Sequence, residues 1–280
     1  MIRVLQSALL VCCLFASSAS RAADSFDYVA FPPGFYMADY PAYYSAHEVT
    51  DKDGHALIPN LGLRSYINVV KFAIYRTDPI FKKPLQVTAV LPFGRVEMLN
   101  QHVVGFGDLT MVLGYWPIVK KSMGIGSGPG CYVDMPTGKY DATRLANIGN
   151  NYWRVRPTWV FSHFVFPYDV ETALTYNIYF ENPATKVRNG NEVAFDSFFG
   201  RFVSPRFMLG GHFNYLTGFD KELNGARLPD TRVRQFQAGP SVTFLSSRHS
   251  NVMVKVLTDF ASRNTAKGIL LFLRVGWKVL

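Results

Sequence analysis

Three things are scarce in this 280-residue chain: cysteine, long apolar runs, and blocks of like charge. Only three cysteines occur, and two of them, Cys12 and Cys13, sit together in an apolar run near the amino terminus. Without that run Cys131 stands alone, which excludes an internal disulfide framework and any cysteine-rich metal site. The run itself, Val4 to Ala16, has 13 residues, too few for a stable bilayer-crossing helix. With Arg3 before it and Ser20-Arg21-Ala22 after it, it has the parts of a secretory signal peptide, and cleavage is expected after Ala22. Residues 1–22 are then the signal peptide and 23–280 the exported chain, a single domain. No later apolar run approaches 18 residues, so spanning helices are excluded. The formal charge of +9 falls to +7 once Arg3 and Arg21 leave, and no basic run exceeds two residues. Charge so scattered lacks the clustered footprint of a nucleic-acid binder, and no nucleic-acid partner is expected.

What the chain has in quantity is aromatic and apolar surface: 15% aromatic residues, including 23 phenylalanines. Either a large all-β core takes these side chains, or half the strand residues face lipid. Alternation of apolar and polar residues marks twelve segments, at 35–48, 61–77, 83–93, 104–117, 121–134, 150–165, 168–181, 190–203, 206–219, 231–246, 250–262 and 267–279. No segment of helical period lies between them. The connections alternate in length along the whole chain. Long ones fall near 49–60, 94–103, 135–149, 182–189, 220–230 and 263–266; short ones include Asp78 to Lys82, Phe166-Pro167 and Ser204-Pro205. A soluble sandwich has no reason to gather its long loops at one end. An antiparallel up-and-down transmembrane β-barrel of about 12 strands does, with short periplasmic turns, longer outer loops and both termini in the periplasm.

The strand faces agree. In Asp169 to Glu181, Val170, Leu174, Tyr176, Ile178 and Phe180 share one side, opposite Glu171, Thr175, Asn177 and Tyr179. In 150–165, Trp153, Val155, Trp159 and Phe161 oppose Arg154, Arg156, Thr158 and Ser162. The final segment places Ile269, Leu271, Leu273, Val275, Trp277 and Val279 in one apolar row, with Arg274 and Lys278 in the other. Because every backbone amide in hydrocarbon needs a partner, the last strand must pair with the first and close the sheet. Tyr36, Tyr40, Tyr43, Tyr44, Trp116, Trp153 and Trp277 are expected to supply the interfacial aromatic girdles.

Several stretches then resemble a known family of bacterial outer-membrane barrels, the MetA-pathway of phenol degradation family. They are PPGFYMADYPAYY (Pro32 to Tyr44), GFGDL (Gly105 to Leu109), DMPTGKYD (Asp134 to Asp141), NIGNNYW (Asn147 to Trp153) and ENPAT (Glu181 to Thr185). FQAGPSV (Phe236 to Val242) and KVLTDFASRN (Lys255 to Asn264) extend the likeness toward the end of the chain. The resemblance implies an outer-membrane β-barrel with a role in the passage of aromatic compounds, and no catalytic step in their breakdown.

Features that suggest chemistry have simpler readings. GIGSGPG (Gly124 to Gly130) is broken by Pro129 and opens no helix, so it reads as a bend in a strand. Ser162 and His163 are adjacent on a strand and point apart, which rules them out as nucleophile and base. The six histidines, His47, His55, His102, His163, His212 and His249, have no ligand spacing, and no metal or other cofactor is expected. Glu192 with Asp196, or Asp108 with Asp259, could be carboxylate pairs, but among Arg154, Arg156, Lys255 and Arg274 they read as ion-paired lumen charges. The expected function is an outer-membrane channel or facilitator for passive passage of small, apolar or aromatic compounds. Its lumen path is assigned to Asp108, Arg154, Arg156, Glu171 and Asn177, together with Asp196, His212, Lys255, Asp259 and Arg274. The competing classes are a structural or adhesion barrel and an outer-membrane enzyme. Expected partners are outer-membrane lipid, lipopolysaccharide through Lys139, Arg144, Lys186 and Arg188, the small solute, and the barrel assembly machinery during biogenesis. Lys82, Lys83, Lys120, Lys121 and Arg248 are expected to solvate the periplasmic rim.

Overall fold

The structure, a computed structural model, describes residues 25–247 and 249–279. The expected signal peptide, Arg248 and Leu280 lie outside the described residues. In chain order the strands are β1 (Gly34–Thr50), β2 (Ala56–Thr77), β3 (Pro84–Met98), β4 (Gln101–Phe106), β5 (Thr110–Tyr115), β6 (Ile118–Lys120), β7 (Ile125–Asp134), β8 (Arg154–Val165) and β9 (Tyr168–Tyr179). They continue with β10 (Val187–Arg188), β11 (Glu192–Phe202), β12 (Phe207–Gly218), β13 (Glu222–Leu223), β14 (Ala226–Arg227), β15 (Arg234–Leu245), β16 (Ser250–Arg263) and β17 (Ala266–Lys278). Successive long strands pair antiparallel, and β17 returns to β1 with Tyr36 opposite Lys278 and Tyr44 opposite Leu270. The result is a closed twelve-stranded antiparallel barrel in which β4, β5 and β6 share one stave. Closure pairs the first stave with the last, so the barrel has no open seam, which a sheet in hydrocarbon requires. The short strands β10, β13 and β14 form a separate sheet in the outer loops, where a hydrogen bond from Arg188 holds the Glu222 carboxyl below its usual range.

The twelve segments read from alternation correspond to the twelve staves, with two hairpins longer than expected. Residues 94–103, expected as a long loop, are a hairpin that turns at Leu99 and Asn100. Its outward side carries the Arg95–Glu97 pair at 2.5 Å, and its inward side carries Val96, Met98 and Val103. A strand that rises beyond the hydrocarbon keeps its inner apolar row while its outer row turns charged, so its composition resembles a loop. The β1–β2 hairpin extends likewise, so β2 begins at Ala56 instead of 61.

Within the membrane-spanning staves the expected faces hold. Ile269 and Leu271 are 52% and 48% exposed on the outer wall, while Leu270, Phe272 and Arg274 are buried inside. The expected girdle needs correction. Tyr40, Tyr44 and Trp116 are buried in the interior, and Tyr36 packs on Tyr75 and Phe31. Aromatic residues near strand ends satisfied the girdle pattern, but their parity places them on the inner row. Trp153, 48% exposed, remains on the outside.

Candidate functional site

The interior has two unlike walls. On β1–β4, β16 and β17 the inward row is largely apolar: Tyr44, Leu61, Leu63, Val96, Met98 and Leu270 belong to one buried cluster. On β7–β12 the inward row is largely polar, broken by Val160, Ala173, Phe198, Phe202 and Met208. Its centre is Asp134, which accepts from Arg154 Nε at 2.5 Å, Arg156 Nη2 at 2.8 Å and Thr110 Oγ1 at 2.5 Å. The two guanidinium groups also lie over tyrosine rings, Arg154 at 5.6 Å from Tyr179 and Arg156 at 4.7 Å from Tyr132. Buried charges persist when paired and hydrogen-bonded in this way. Next in the same wall, Tyr179 Oη donates to Glu192 at 2.6 Å, Asn177 donates to Glu192 at 3.3 Å, and Thr158 and Thr175 share a 3.0 Å bond.

The periplasmic half is filled by the chain itself. Residues 25–31 run inside the barrel, where the N–H groups of Phe26 and Tyr28 donate to the two carboxylate oxygens of Glu171, the second at 2.5 Å. Arg274 donates to the Ser25 carbonyl at 2.5 Å, Lys71 pairs with Asp27 at 2.9 Å, and Trp116 Nε1 donates to the Tyr28 carbonyl at 3.0 Å. Phe26, Tyr28 and Phe31 pack into a second buried cluster with Tyr75, Trp116 and Phe198.

The outer mouth is capped by the loop between β7 and β8, folded inward on Asp108. The β4–β5 stave breaks at Gly107-Asp108-Leu109, and the Asp108 carboxylate accepts from Gly138 N at 2.9 Å and from Asn150 N and Nδ2, both at 2.8 Å. Gly138 and Gly149 touch backbone to backbone there; a Cβ on either would stand 2.6 to 2.7 Å from the other's atoms. Asn182 Nδ2 ties the next loop to the Asn150 carbonyl at 3.0 Å. The stretches GFGDL, DMPTGKYD, NIGNNYW and ENPAT thus meet in one cap.

Between plug and cap lies a cavity of about 200 Å³, reached by Asp27 and Tyr28 of the plug and by Ile148 and Asn150 of the cap. Of the ten residues assigned from sequence, all are buried, and Asp108, Arg154, Arg156, Asn177, Asp196 and Lys255 line this cavity. The other four do not. Glu171 and Arg274 hold the plug. His212 bonds Ser241 Oγ at 2.8 Å and packs on Phe198. Asp259 accepts from Tyr44 at 3.0 Å, Gln235 at 3.0 Å and Gly268 N at 2.8 Å. Asp108, Glu192 and Asp259 each have their own donors. Sequence reasoning passed over Asp27, Lys71, Tyr132 and Asp134, all of which line the cavity. Continuing the parity of Thr110 and Arg154 across to β7 would have found Asp134; Lys71 stands out as the one lysine in the apolar row of β2. Of the loop cations, Lys186 pairs with Glu181 at 3.6 Å and Arg188 with Glu222.

A match over residues 46–275 connects the sequence to the family described as "Putative MetA-pathway of phenol degradation". A search of curated proteins found no match. Among solved structures, the COG4313 outer membrane channel from Pseudomonas putida F1 superposes with a TM-score of 0.82 at 19% identity, covering 92% of this chain and all of that one. The NanC porin aligns with a TM-score of 0.51 at 8% identity, over 87% of this chain and all of the porin. At such identities the likeness speaks for the fold. With the family match spanning most of its length and the barrel in agreement with solved outer-membrane channels, the chain belongs to that family and has the fold of an outer-membrane channel.

Proposed function

We propose that this barrel conducts small, apolar or aromatic compounds passively across the outer membrane, using the mid-lumen cavity as a weak binding site. The observation that carries the reading is the cavity itself: about 200 Å³, with Tyr40, Trp116 and Phe272 beside aliphatic Val90, Val112 and Ile148 on its walls. An apolar cavity of about 150 Å³ is enough to hold benzene, so one substituted ring fits and a sugar chain does not. Asp108, Arg154, Arg156, Asn177, Asp196 and Lys255 supply the polar part of the path; Glu171 and Arg274 act on it by holding the plug. Solute leaves toward the periplasm when residues 25–31 shift, a motion that breaks hydrogen bonds and ion pairs but no strand pairing. Export through a signal peptide at residues 1–22, and contact of the loop residues Lys139 and Arg144 with lipopolysaccharide, belong to the same reading.

The test is flux of toluene and of glucose into vesicles whose outer leaflet is lipopolysaccharide, with and without the purified barrel. The barrel is expected to accelerate toluene entry and leave glucose entry unchanged. A scaffold that conducts nothing is the second reading, favoured by the closure of the lumen at both ends, and it predicts no acceleration for either solute.

A further inference from the structure

The charges around the cavity are balanced, and one side chain among them keeps unmatched hydrogen-bond donors. Lys71, Arg154, Arg156 and Lys255 face Asp27, Asp108, Asp134 and Asp196, four cations against four anions. The carboxylate of Asp27 is engaged by Lys71, that of Asp108 by three N–H groups of the cap, and that of Asp134 by two arginines and a threonine. An added net charge, of either sign, would upset a neutral set of buried charges, which is costly in a low-dielectric site. Arg156 is different from its neighbours. It lines the cavity, its Nη2 donates to Asp134, and among the described residues its Nη1 has no acceptor; the Nε–H has none either but is sealed from the cavity. An arginine has five N–H donors and no way to lose its charge, so an unmatched one calls for an oxygen acceptor. The guanidinium lies 4.7 Å from the Tyr132 ring centre, so an acceptor that meets it arrives beside an aromatic face.

We infer that the cavity selects neutral single-ring compounds bearing one acceptor oxygen, such as aromatic ketones or aldehydes, with Arg156 as the specificity-determining residue. The inference rests on the reading of this lumen as a solute path and makes it narrower. The ring takes the aromatic and aliphatic walls, and the oxygen accepts from the cavity-facing Nη1 of the Arg156 guanidinium. Ring carboxylates are disfavoured because they leave the cavity with an uncompensated negative charge. Ring ammonium ions are disfavoured because each carboxylate whose partners are named above is already occupied.

Calorimetric titration of the purified full-length barrel in detergent tests this with four probes of similar size: acetophenone, ethylbenzene, benzoate and benzylammonium. Acetophenone is expected to bind about tenfold tighter than ethylbenzene, the weight of one hydrogen bond to a charged donor, and tighter than either ion. Arg156→Leu is expected to abolish the difference between acetophenone and ethylbenzene, with apolar partition into the micelle common to both proteins. Arg156→Lys retains the charge next to Asp134 but lacks the second guanidinium nitrogen that faces the cavity, and is expected to lose most of the preference while migrating as a folded barrel on unheated gels. Equal binding of acetophenone and ethylbenzene to the parent, stronger binding of benzoate, absence of acetophenone binding, or a preference that survives Arg156→Leu in a folded barrel would each overturn the inference. Binding with the predicted preference but without flux would instead overturn the transport reading, and flux without preference would overturn only this one.

Discussion

Asp108 shows how one side chain organises a region far larger than itself. Its carboxylate gathers three N–H groups from residues 138 and 150, more than 25 positions further along the chain, and so turns the β7–β8 loop into a lid on the barrel. Replacing it by alanine leaves those donors buried without an acceptor, at a cost of about 1–3 kcal/mol for each that water cannot reach. Asp108→Ala is therefore expected to leave the barrel folded and free the cap, so that trypsin cuts after Lys139 and Arg144 at least about tenfold faster. Unchanged digestion would mean that other contacts hold the loop. The role of Asp108 was only partly visible in the sequence. Its place on the inner row could be read, but its partners could not, because contacts between a stave break and a loop follow no periodicity. The same holds for Asp134. Alternation says which way such a residue points; it does not say that two arginines on the next strand will share its carboxylate.

Among the elements, the staves were the most legible and the plug the least. Period-two alternation is a direct consequence of the pleat, so Ile269 and Leu271 against Phe272 and Arg274 could be sorted without coordinates. Where the inner row is itself apolar, as in Leu61, Leu63, Val96 and Met98, the two faces look alike, and the β3–β4 hairpin passed for a loop. Residues 25–31 have no regular structure and hence no period to read; their place in the lumen comes from Glu171, Lys71 and Arg274, spread over β9, β2 and β17. These contacts make the segment an obstacle in the lower half of the lumen. Deleting residues 25–31 is expected to raise single-channel ion conductance in planar bilayers, and Glu171→Ala to do so to a smaller extent, since it removes the acceptor of two plug N–H groups but leaves the Asp27–Lys71 pair. Conductance equal to the parent in the deletion variant would show that the constriction lies elsewhere.

At the scale of the whole molecule, the barrel joins a wall that hydrocarbon demands to an interior that hydrocarbon does not see. Outward residues such as Leu113, Trp159, Leu174 and Phe199 are about half exposed and need lipid around them. Inside, an apolar arc and a largely polar arc enclose a cavity, with the amino-terminal segment below it and a cap of loops above. Twelve strands give a lumen narrow enough for a few side chains to control it, and a conduit of the proposed kind would discriminate by fit and polarity with no moving domain. The claim that solutes travel through this cavity has a direct test. Val112 lines it and is buried; Val112→Trp would fill much of the space at an overpacking cost of about 1–3 kcal/mol, which a closed barrel can absorb. In lipopolysaccharide-faced vesicles, with folding checked by gel mobility before heating, toluene flux through Val112→Trp should fall to the protein-free rate; flux equal to that of the parent barrel would contradict the account.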